Sequence, residues 1–138
     1  MSSAGETGRL WTLLVRVRAL RVHRCRRLLA RMQQAAHEAR VELMRQVTER
    51  DRHAARLPDI LGLCGHGKQD ATLWRSALKI HRSREAEVIA AVRTKQRALS
   101  DALTEVQVAR IALQRALRAH EDAQHRKREA TARLCDDE

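Results

Sequence analysis

From Trp74 to Leu134, one set of positions recurs in alternating steps of four and three: Trp74, Leu78, His81, Glu85, Val88, Val92, Lys95, Leu99, Ala102, Val106, Ala109, Leu113, Ala116, His120, Ala123, Lys127, Ala130 and Leu134. Thirteen of these eighteen positions are apolar, and no Gly or Pro interrupts the run. A 3.5-residue period sustained over many heptads predicts a long α-helix with a single coiled-coil seam. At ~1.5 Å per residue, ~60 helical residues extend ~90 Å, so the pattern describes a rod rather than a globule.

The first half carries its own stripe: Leu10, Leu14, Val17, Arg21, Cys25, Leu28, Met32, Ala36, Ala39, Leu43, Val47, Arg50, Ala54 and Leu57. Its mean spacing is near 3.6, and no Gly or Pro falls between Arg9 and Leu57, which predicts one helix over 9–57. Residues 1–8, with Ser, Gly and Thr and no periodicity, read as a disordered tail. The only Pro and three of the five Gly lie in 58–70, which reads as the hairpin connection, with Asp70 as the N-cap of a second helix over 71–134. Residues 135–138 form an acidic end. Ile60, Leu61 and Leu63 are apolar for a loop and fit a cover over Leu57 and Trp74, or else a docking surface. The predicted fold is all-α, a long antiparallel two-helix coiled-coil hairpin acting as a monomer.

If Leu57 lies opposite Trp74, partner numbers total about 131. That register sets bulky Leu28, Val17 and Leu14 against a second helix whose layers from Ala102 onward alternate with Ala, allowing close approach. His81, Glu85, Lys95, His120 and Lys127 interrupt the seam; polar seam residues fix register at a cost in stability. The first helix runs out near His120, leaving the end of the second expected to project alone.

Composition supports this picture and adds a charge asymmetry. There are two Trp and no Phe or Tyr, which suits a thin Leu/Val/Ala seam better than a thick core. The net charge of +11 divides into +8 over 1–57, −1 over 58–70 and +4 over 71–138. Between Arg9 and Arg31 stand eight Arg and no acid, a surface that seeks an acidic partner. No apolar run approaches the ~18 residues of a membrane span. Three Cys without metal-type spacing read as reduced thiols, and the Arg-rich start is not read as a targeting segment because the helical pattern runs through it.

Candidate chemistry is sparse. Gly62-Leu-Cys-Gly-His-Gly-Lys68 satisfies the G-x-x-x-x-G-K opening of a phosphate loop, but Gln69 replaces the hydroxyl that holds magnesium and no strand delivers the loop. Cys64 and His66 supply two zinc ligands where about four are needed, and His120 and His125 do not share a helix face. A rod offers no pocket for acid, base or nucleophile, so neither enzymatic activity nor any cofactor is expected. Nucleic acid is a rival partner, but the arginines spread around the helix instead of forming one groove-facing stripe, and no aromatic platform is present.

The opening Leu10-Trp-Thr-Leu-Leu-Val-Arg-Val-Arg-Ala-Leu-Arg-Val-His-Arg, followed by a whole-length helical hairpin, resembles the YscO/FliJ group, the central stalk proteins of type III secretion and flagellar export ATPases. The resemblance implies a cytoplasmic, non-enzymatic stalk at the membrane-associated secretion apparatus. One end would enter the pore of a hexameric ATPase ring, the other would reach the cytoplasmic domain of the export gate, and export chaperones are further implied partners. Carried onto this chain, Arg9, Arg16, Arg18, Arg24, Arg26, Arg27, Arg126 and Arg128 would face the ring. Met44, Val47, Arg50, His81 and Glu85 would face the gate. The absence of Tyr and Phe departs from the aromatics of flagellar relatives. The alternatives are a basic helical nucleic-acid-binding protein and a generic coiled-coil scaffold or chaperone.

Overall fold

The computed structural model describes residues 2–63 and 71–136. Two helices, α1 (Ser2–Gly62) and α2 (Ala71–Asp136), pair antiparallel as an all-α coiled-coil hairpin. The chain divides into two units, unit 1 of Met1–Gln34 with Leu103–Glu138 and unit 2 of Ala35–Ala102.

The seam of α2 follows the heptad read from the sequence. His81, Val92, Val106, Ala109, Ala116 and Ala123 are buried, and the remaining heptad positions are half-buried except Glu85 and Leu134, which are exposed. On α1 the observed stripe is Trp11, Val15, Arg18, Val22, Cys25, Leu29, Met32, Ala36, Ala39, Leu43, Gln46, His53, Leu57 and Ile60. Its steps also alternate four and three, with exposed Arg50 filling the one gap. Leu10, Val17, Arg21, Leu28, Arg50 and Ala54, expected inside, are exposed. The reason is supercoiling: paired helices underwind to 3.5 residues per turn, and a stripe drawn at 3.6 drifts off the seam by ~20° per heptad.

Both ends of α1 extend beyond their expected limits. Residues 2–8, expected as a disordered tail, are helical, and the Thr7 hydroxyl donates to the Ser3 carbonyl four residues back at 2.7 Å. Pro58 lies inside α1 rather than ending it. A proline removes one N–H, and the carbonyl it would have served belongs to Ala54 on the exposed face. Leu57 and Ile60 are half-buried on the seam, so one further turn gains packing, while Leu61 and Leu63 are exposed. The rest of the expected connection, 64–70, lies outside the described residues, and with it Cys64, His66, Lys68 and Asp70.

The longer α1 moves the register. In unit 1, Arg18 meets Ala119 and Trp11 meets Arg126, each pair totalling 137. In unit 2, Glu42 meets Lys95, again totalling 137, and His53 meets His81, totalling 134. The expected total of about 131 is therefore displaced by three residues at the histidines and by six at the other three pairs, about one to two helical turns. Large still faces small, but with different partners: Ala109, Ala116 and Ala123, 3%, 4% and 0% exposed, come level with the Leu28–Leu29, Arg21–Val22 and Leu14–Val15 pairs. The last turns of α2 are not bare either. Ala4, Thr7 and Trp11 flank Ala130, Arg133 and Leu134, because α1 starts seven residues earlier than the sequence suggests.

Candidate functional site

All eight arginines assigned to ring binding fall in unit 1. Arg9, Arg16, Arg24, Arg26, Arg27 and Arg128 are exposed, and Arg24 and Arg27 share a shallow recess with Ala30 and Arg31. Arg18 is different. Its guanidinium crosses to α2, donating to the Ala119 carbonyl at 2.7 Å and lying 3.8 Å from the Asp122 carboxylate. Arg126 lies 3.5 Å from the same carboxylate and sits over the Trp11 ring, 5.6 Å from its centroid. A cation–π contact at an exposed site contributes about 0.5–1 kcal/mol, and exposed ion pairs about 0–1 kcal/mol. Arg18 and Arg126 thus hold the two helices together, while the other six point their charge outward. Trp11–Arg126 was hidden in the sequence because a stripe running through Leu10 turns Trp11 away from the seam.

The residues assigned to the export gate fall in unit 2. Met44, 58% exposed, and Glu85 are open to solvent, Val47 is half-buried, and Arg50 is exposed beside Asp51 at 3.4 Å. His81 does not belong on that surface. It is 7% exposed, its ring stacked on His53 with centroids 3.9 Å apart and planes 6° from parallel.

The contact between these two histidines is reciprocal. His53 Nε2 donates to the His81 carbonyl at 3.0 Å, and His81 Nε2 donates to the His53 carbonyl at 2.8 Å. A carbonyl only accepts, so both rings carry a proton on Nε2. The buried His81 Nδ1 has no hydrogen-bond partner. The heptad from Leu43 through Gln46 and Arg50 reaches His53, so a strict 3.5 step would have found the pair; the 3.6 step selected Ala54 instead. Of the other polar seam positions, Lys95 reaches Glu42 at 3.9 Å across the helices, and Glu85 leaves the seam for solvent.

Among the described residues no three or more His, Cys, Asp or Glu side chains come together as a metal site, and neither helix contains a segment long and apolar enough to cross a membrane. Cys25 is half-buried and Cys135 exposed, both as free thiols. Compared with models of protein families, with curated proteins and with solved structures, the chain matches none, so the hairpin and the placement of its side chains carry the functional argument.

Proposed function

We propose that this hairpin is the non-enzymatic central stalk of a type III protein secretion system, joining a hexameric export ATPase ring to the export gate and stimulating assembly or hydrolysis of the ring. The observation that supports this reading is the division of candidate surfaces between units. Six outward arginines, contributed by both helices, gather in unit 1, whereas Met44, Val47 and Glu85 lie in unit 2. A protein that couples two partners needs two chemically distinct surfaces, and exposed cations engage a ring through long-range attraction without a large apolar patch. Export chaperones are further partners on this reading, and the protein works in the cytoplasm at the secretion apparatus.

The test is co-purification with a hexameric secretion ATPase at physiological salt, using the wild-type chain and an Arg24→Glu/Arg27→Glu variant. Both side chains are exposed, so the variant keeps its helicity by circular dichroism but loses ring binding and stimulation of ATP hydrolysis. If stimulation survives the double reversal, or if duplex DNA binds with a steep salt dependence while the ATPase does not, the stalk reading fails.

A further inference from the structure

Unit 1 presents a second apolar line that the hairpin does not use. Leu10, Leu13, Val17 and Leu20 follow one another in steps of three, four and three, and are 65%, 59%, 54% and 61% exposed. The positions of α1 that face α2 here are Trp11, Val15, Arg18 and Val22, so the exposed line runs along another face of the same turns. We propose that this line is a second coiled-coil seam, whose partner is an amphipathic helix from another protein bearing Asp or Glu beside its own apolar stripe.

The occupant is argued from charge. In this second heptad Arg9 and Arg16 stand on one flank and Arg21 on the other, and Arg24 continues the line where the next apolar residue would fall. All four are exposed, and no acid lies between Glu6 and Glu38. Flanking charges choose the partner of a coiled coil. A second copy of this chain would set Arg16 or Arg21 against the same arginines, which disfavours self-pairing; an acid-flanked helix meets cations on both flanks. Spacing argues against a lipid surface. A strict three-four line is a narrow stripe, whereas a helix that lies in a membrane offers a broad apolar face. From Leu10 to Leu20 the line spans ~15 Å, after which Arg24 asks for acid rather than apolar contact. The inference goes beyond the stalk reading and stands without it, since the line accepts such a helix whatever assembly the chain serves.

The experiment uses the full chain and a fluorescent model peptide of ~21 residues, long enough to be helical, with Leu at its seam positions and Glu on both flanks. One control peptide carries Lys on the flanks, and another keeps Glu but has Ser in the seam. Fluorescence anisotropy should show binding of the Glu-flanked Leu peptide only. Leu13→Ser/Leu20→Ser in the chain should weaken it by at least about tenfold with helicity and melting unchanged, because both leucines are exposed. Equal binding of the Ser-seam peptide, or indifference to the leucine substitutions, would reduce the surface to nonspecific charge and overturn the inference. So would leucine-dependent self-association, or leucine-dependent binding to phosphatidylserine vesicles without binding of the peptide. Loss of this site leaves ATPase co-purification to be judged separately through Arg26 and Arg128, which are exposed and stand off the line.

Discussion

His53 and His81 each lend a ring and a carbonyl to one contact, so replacing either removes one cross-helix bond and uncovers the other ring. Losing one buried hydrogen bond together with the packing of a stacked ring costs about 1–3 kcal/mol. His53→Ala and His81→Ala should each destabilise the chain by about that amount in urea unfolding. The double variant should lose less than the two singles together, with a coupling of about 1 kcal/mol or more. A coupling near zero would mean that the rings are neighbours without mutual dependence. His81 was legible in the sequence because α2 holds an unbroken 3.5 period over eighteen positions. His53 was not, because Val47 and Ala54 carry a 3.6-residue stripe past it.

At the scale of the helices, local signals misplaced both ends of α1. Gly5, Gly8 and Pro58 are residues that end helices in isolation, yet all three lie inside this one. Tertiary packing overrides their propensity: the first turns of α1 flank Ala130 and Leu134, and Leu57 and Ile60 keep the seam closed on either side of the proline. Nothing lies within 4 Å of a methyl built on Gly5 or Gly8, so alanine fits at both. Gly5→Ala/Gly8→Ala should add about 0.5–1 kcal/mol of helix stability per site and slow amide exchange over residues 123–134. Deleting residues 2–8 should speed exchange over the same stretch. Unchanged exchange in both variants would show that the start of α1 does not cover the end of α2.

For the molecule as a whole, stability rests on a narrow seam. Among the described residues no large side chain is fully enclosed, and the tightest layers are alanines. Such a chain buries little apolar surface for the entropy it gives up. The isolated protein should show a strongly helical circular dichroism spectrum and a low melting point. A melting point above ~90 °C would contradict this, as that marks a hyperstable protein. A bound partner should raise it, since binding adds ~2.7 kcal/mol of unfolding free energy at a hundredfold excess over Kd. Fold class and the basic first half were legible from periodicity and charge, which are properties of the chain alone. Which arginines are free was not: Arg18 and Arg126 differ from their neighbours only through register, and register follows from where α1 stops.

The reciprocal histidine contact also bears on the order of folding. It closes a loop across 28 residues, whereas Arg18 and Ala119 are separated by 101. Closing the shorter loop first is less costly by about 1 kcal/mol of chain entropy. A chain that zips from its turn therefore meets the two imidazoles early. A slip of one heptad would replace a ring-on-ring fit by a histidine facing Trp74 or Val88. A hairpin slipped in that way would lack both cross-helix histidine bonds and the ring stack.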